Sequence, residues 1–138
     1  MWNSIKAAWN GTDGSEETGS VPVYNFDQMK QIVGQHDPTV VLVDVREPSE
    51  YSVVRIPGSI NIPYRTHPDA FTLNDAEFQS SFGVPKPAHN KELIFFCASG
   101  MRASKAEQVA SKNGYNNTSI YKGSMNDWVA HGGDKLNL

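Results

Sequence analysis

The single cysteine of the chain, Cys97, stands between an apolar run and a short polar loop. Leu93-Ile94-Phe95-Phe96 reads as a buried strand, and Ala103 to Ala110 reads as a helix. Between them lie Ala98, Ser99, Gly100, Met101 and Arg102. A cysteine so placed faces a helix N-terminus, whose unpaired N–H groups and positive dipole end favour an anion. Such a site favours the thiolate, the nucleophilic form of cysteine. The same N–H groups could hold an anionic substrate against the sulfur. Ala98 and Gly100 keep bulk off the loop. Gly100 also lets the backbone take positive φ and curl its amides inward as an anion nest. Arg102 opens the helix and can bind a tetrahedral oxyanion through two parallel hydrogen bonds. Met101 presents an apolar side chain at the mouth. Ser99 could donate to a sulfur anion or cap the helix. The competing reading of Cys97 is a small buried hydrophobe. It fits less well, because inert cysteines sit inside elements rather than at a Gly-containing strand-to-helix turn.

The elements that must position this loop alternate along the chain. Val23-Tyr24 is a short strand, and Asn25 with Gln28 forms a capping-box pattern for a helix striped by Phe26, Met29 and Val33 and ended by Gly34. Val40 to Val45 is apolar on both faces, as a central parallel strand requires. Pro48 suits the first turn of a short helix through Val54. Ser59 to Ile62 alternates as a half-buried strand. Asn74 and Glu77 form a second capping box, with Leu73 and Phe78 at staple positions and Gly83 as C-cap. The helix after Cys97 places Ala103, Ala106, Val109 and Ala110 on one face and stops at Gly114. Thr118 to Tyr121 is a strand, and Ser124 and Asp127 cap a last helix carrying Trp128 and Val129. Strands alternating with helices imply an α/β fold: a mostly parallel sheet with helices on both faces.

The chain has 138 residues, enough for one core. Residues 1–20 read as a flexible N-terminal segment, rich in small and acidic residues from Gly11 to Ser20. Trp2, Ile5 and Trp9 could share a helical face there. Residues 21–138 read as one domain. A net charge of -3 argues against a nucleic-acid partner. No apolar run is long enough to insert in a membrane, and no secretory pattern is present. One cysteine excludes an internal disulfide and a thiolate metal cluster. His36, His67, His89 and His131 are scattered, so no metal and no cofactor are expected. A free thiol suits a reducing intracellular compartment, mitochondrion or cytoplasm. An intermediate on Cys97 would have to discharge onto an external acceptor or a second subunit.

Four motifs, in order, resemble the rhodanese family of sulfurtransferases. They are Asp44-Val45-Arg46-Glu47; Glu50-Tyr51 with Ile56-Pro57-Gly58-Ser59-Ile60-Asn61-Ile62-Pro63; Cys97 to Arg102; and Tyr121-Lys122-Gly123-Ser124 with Trp128. The likeness covers about residues 22 to 132, and four motifs in sequence are far more specific than one. It implies a single rhodanese-like domain over 21–138, with Cys97 as nucleophile and the loop Ala98 to Arg102 as substrate cradle. The chain departs at Arg55, where many members carry His, and at Ser124, where the closing Gly-Gly has its second Gly. Related phosphatases and arsenate reductases have one residue more between Cys and Arg. The shorter loop here suits a sulfane sulfur better than a full phosphate or arsenate.

The resemblance implies thiosulfate as donor and a Cys97 persulfide as intermediate. The likeness is strongest to single-domain enzymes that pass sulfur to glutathione, carried by Glu77 to Arg102. The alternative is a persulfide carrier that delivers sulfur to a protein partner. Asp44 and Arg46 read as a structural ion pair beside the loop. Arg46, Arg55 or Arg65 could add positive field for an anion. Trp128 and Tyr51 read as core anchors, and Lys105 as a solvated surface residue.

Overall fold

The computed structural model describes residues 21–138. The expected N-terminal segment, with Trp2, Ile5 and Trp9, lies outside them. Among the described residues the helices are α1 (Phe26–Gln35), α2 (Pro48–Val53), α3 (Asp75–Phe82), α4 (Met101–Lys112) and α5 (Ser124–Ala130). The strands are β1 (Val23–Tyr24), β2 (Val40–Asp44), β3 (Ile60–Asn61), β4 (Glu92–Phe96) and β5 (Thr118–Tyr121). The strands form one sheet in the order β1-β5-β4-β2-β3, and every pairing is parallel. The α/β fold and its covered parallel sheet are therefore as expected. No helix is long and apolar enough to cross a membrane among the described residues.

The central strand β4 serves both halves of the core. Leu93, Phe95 and Cys97 point to one face, against Phe71, Phe78, Ala103, Ala106 and Ala110. Ile94 and Phe96 point to the other, against Met29, Val33, Tyr121, Met125 and Trp128. This is period-two alternation with both faces covered, which is why the run shows no polar position. Each such large side chain contributes about 1.5–3 kcal/mol on burial. Cys97 thus continues a buried row one step beyond the ladder.

Local signals account for most element boundaries. Both Asn capping boxes form: Asn25 accepts from the Gln28 N–H at 2.9 Å, and Asn74 accepts from the Glu77 N–H at 2.8 Å. Gly83 ends α3 at φ 74°.

Four details differ from expectation. Helix α1 runs past Gly34, and His36 takes the left-handed cap at φ 53°. Pro38 biases Asp37 away from helix, so proline stops α1 rather than glycine. Strand β3 pairs only over Ile60–Asn61, because Ser59 turns its N–H and hydroxyl back to the Ile56 carbonyl. On α4, Glu107 is buried where the expected face has Val109, and its carboxylate accepts from the Thr118 hydroxyl at 2.6 Å. Neither Ser124 nor Asp127 caps α5: Gly123 is the N-cap residue, and the Asp127 carboxylate accepts from the Tyr121 hydroxyl at 2.5 Å.

Three tyrosines make the fold alkali-sensitive. Burial, first, holds Tyr24, Tyr115 and Tyr121 in the neutral form, with Glu92 and Asp127 reinforcing it at Tyr24 and Tyr121. Tyr115 is pushed up to about 12, and its hydroxyl donates to the Pro87 carbonyl at 2.6 Å. In the unfolded chain tyrosine ionises near pH 10. Raised folded values mean that this stability is whole below about pH 10 and is lost as pH climbs above it. The urea midpoint should hold from pH 8 to 9.5 and fall steeply above about pH 10. A midpoint flat to pH 11.5 would contradict this account.

Candidate active site

The strand order reverses between β2 and β4: β2 leads outward to β3, and β4 leads outward to β5. Ligands of open parallel sheets bind beyond the carboxyl ends of the strands at such a point. Cys97 lies there, at the end of β4. On its β2 side the ladder continues through the Val45 N–H to the Phe96 carbonyl at 3.0 Å. Cys97 is only 1% exposed, so a reagent must be small or the loop must open.

The loop closes on the sulfur as its composition suggests. Gly100 has φ 104° and sits at the N-cap of α4. Its N–H donates to the Cys97 Sγ at 2.9 Å. The expected nest is thus represented, among the hydrogen bonds of the described residues, by this amide. A Cβ on residue 100 would lie 2.6 Å from the Lys122 carbonyl oxygen. Glycine is needed here for conformation and for space. Gly58, at φ 82°, has the conformational demand but open space around it. Gly100→Ala should therefore cost about 1–3 kcal/mol in strain plus a clash, and Gly58→Ala the strain alone. Urea melts and sulfur-transfer assays check this. Gly100→Ala should lose activity as well, and equal behaviour of the two variants would contradict it.

Arg102 is paired with a carboxylate from another helix. Its guanidinium forms a two-armed pair with Glu50 on α2, Nη1 to Oε1 at 3.0 Å and Nη2 to Oε2 at 3.3 Å. The Glu50 Oε1 also accepts the Glu47 N–H at 3.0 Å, so one carboxylate closes the start of α2 and clamps α2 to α4. The Arg102 hydrogen bond holds the Glu50 carboxyl below the usual range, against an opposing effect of burial. Glu50 in turn raises the Arg102 guanidinium. The Glu50 side chain is 37% exposed, so solvent screens much of this attraction.

The other expected residues fall on either side of the loop. Ser99 and Met101 are exposed, Met101 to 73%, and Ala98 is half-buried. Asp44 and Arg46 form the expected buried ion pair, Nη2 to Oδ2 at 2.9 Å. Arg46 Nη2 also donates to the Val54 carbonyl at 2.6 Å, so this cation is committed to structure. Arg55 lies over the Tyr51 ring, 5.0 Å from its centroid, while Arg65 and Lys105 are exposed. Trp128 is fully buried, an anchor as expected. Tyr51 is half-buried and donates to the Ser59 carbonyl at 2.5 Å. Two participants were not foreseen. Glu50 was part of a motif, but its partner was not readable. Ser124, expected as a helix cap and as a departure from the closing motif, instead accepts the Cys97 N–H with its hydroxyl at 3.0 Å.

Residues 25–131 match the profile of the Rhodanese-like domain. The chain belongs to the rhodanese-like family. Among rhodanese relatives, it is 62% identical over 139 aligned residues, the whole of both chains, to the thiosulfate:glutathione sulfurtransferase of Saccharomyces cerevisiae. It is 46% identical over 116 residues to thiosulfate sulfurtransferase RDL2, mitochondrial, of the same yeast, covering 84% of this chain and 78% of the relative. Its fold is similar to the crystal structure of RDL2, with a TM-score of 0.81 at 44% identity over 86% of this chain and 96% of that one. It is also similar to the human single-domain sulfurtransferase TSTD1, with a TM-score of 0.70 at 30% identity over 80% and 96%.

Proposed function

We propose that this protein is a thiosulfate sulfurtransferase in which Cys97 carries the sulfur and glutathione accepts it. The observation that carries the reading is the Cys97 Sγ at the sheet's switch point, 2.9 Å from the Gly100 N–H. The names of the full-length and partial yeast relatives support thiosulfate as donor, and the first of them supports glutathione as acceptor.

In the first step the Cys97 thiolate attacks the outer sulfur of thiosulfate. A sulfur–sulfur bond forms to Cys97, the donor's own sulfur–sulfur bond breaks, and sulfite leaves with the electron pair. The Cys97 persulfide anion then lies against the Gly100 N–H and the start of α4, which stabilise negative charge there. In the second step a glutathione thiolate attacks the outer sulfur. Glutathione persulfide leaves and the Cys97 thiolate returns. Ala98, Ser99 and Met101 shape the entrance as substrate-binding residues. Arg102 contributes by holding α4 against α2 through Glu50, so that the loop keeps its pitch.

Intact mass before and after thiosulfate, followed by added glutathione, tests both halves. A gain of one sulfur that glutathione removes is the expected result. No gain would remove thiosulfate as donor. A gain that glutathione cannot remove would transfer the reading to a carrier with a protein acceptor.

A further inference from the structure

Ser124 occupies a conformation that a serine rarely holds. Its φ is 60°, in the left-handed region, and it is fully buried. Non-glycine residues there are uncommon, and glycine would adopt the same φ freely. The closing motif of the family has glycine at this place. A hydroxyl kept under strain at the edge of a candidate site points to a local task.

The contacts define that task. The Ser124 Oγ accepts the Cys97 N–H at 3.0 Å and donates to the Tyr121 carbonyl at 2.9 Å. The next two residues hold the other side of the same segment. The Met125 N–H donates to the Cys97 carbonyl at 2.8 Å, and the Asn126 N–H donates to the Ala98 carbonyl at 3.0 Å. The peptide groups before and after Cα of residue 97 are thus both fastened to the start of α5. Fixing them fixes the backbone torsions of Cys97 and the direction of its Cβ. That direction decides whether Sγ meets the Gly100 N–H.

We propose that Ser124 is a positioning residue for Cys97, its hydroxyl aiming the sulfur into the loop. The proposal rests on the reading of Cys97 as the nucleophile. It separates from a plain structural role because the hydroxyl can be removed with the strain or without it. Ser124→Gly removes both, and Ser124→Ala removes the hydroxyl while keeping the strain. Stability should therefore rank the glycine variant above the alanine variant.

The test measures thermal midpoints, steady-state kinetics with thiosulfate, and amide exchange at Gly100 for both variants. We expect kcat to fall by about tenfold or more in both, the equivalent of one lost hydrogen bond, with KM little changed. Gly100 exchange should accelerate by a similar factor, though Gly100 does not touch Ser124 through any hydrogen bond described above. A glycine variant with wild-type kcat and wild-type Gly100 protection overturns the proposal. So does activity that follows the thermal midpoints, lost in the alanine variant and kept in the glycine one. If the wild type takes no sulfur from thiosulfate, the proposed reaction fails, and Gly100 exchange alone decides the role of Ser124.

Discussion

Cys97→Ser should abolish sulfur transfer and leave the fold standing. A hydroxyl at this place is a far poorer nucleophile than a thiolate, and oxygen cannot carry the persulfide. Deleting the nucleophile in other covalent mechanisms costs on the order of a millionfold in kcat, so activity should drop to the assay floor. The fold has less at stake. Serine is close in shape, and its Oγ can accept the Gly100 N–H that now bonds the sulfur. Cys97 is also fully packed among apolar neighbours, so exchanging the sulfur for a hydroxyl should cost about 1–3 kcal/mol. Thiosulfate turnover and urea unfolding on the same preparation separate the two effects. Turnover at wild-type level in a folded Cys97→Ser protein would remove Cys97 from the mechanism.

The second large effect belongs to stability. Arg46→Met should destabilise by about 3–5 kcal/mol, the usual result of stranding a buried charge. Asp44 is fully buried, and Arg46 is 5% exposed. The guanidinium reaches both carboxylate oxygens, at 2.9 to 3.2 Å, and the Arg46 N–H adds a bond at 2.9 Å. Without the guanidinium, that N–H is the remaining described donor to the Asp44 side chain. Domains of this kind have about 5–15 kcal/mol in total, so the variant should lose a large share of it. The double variant Asp44→Leu/Arg46→Met should recover most of the loss, because two apolar groups leave no stranded charge. Urea midpoints of the three proteins decide. A loss under about 1 kcal/mol in Arg46→Met would mean that the pair behaves like a solvent-screened one.

What was readable in the sequence follows the distance between partners. Strand β4 and its loop were legible because their signals are consecutive: an apolar run, a cysteine, a glycine, then helix formers. The Asn25 and Asn74 caps have partners three residues on. Asp44 and Arg46 sit two apart, at the end of β2 and just beyond it. The Arg102–Glu50 pair spans 52 residues, and the Ser124–Cys97 bond spans 27. A long cation or a hydroxyl can serve many partners, and the packing of α2 and α5 against the sheet selects one. The end of α1 shows a different failure. Two stop signals, Gly34 and Pro38, lie within one turn. The proline prevails because it removes backbone freedom, while glycine only permits it.

The clamp on Cys97 also has an order in time. Protein chains emerge from the ribosome N-terminus first. Strand β4 can meet β2 once residue 96 has left the ribosome, but β5 pairs on its other side, with Leu93 opposite Thr118. The residues that hold the cysteine peptide, Ser124 to Asn126, are made later still. A growing or truncated chain therefore carries the thiol before residues 124–126 fasten its peptide groups. During that interval the loop around Cys97 opens more easily, which leaves the thiol more open to oxidation and mixed disulfides. The peptide groups of Cys97 are fastened only once residues 124–126 have joined the fold.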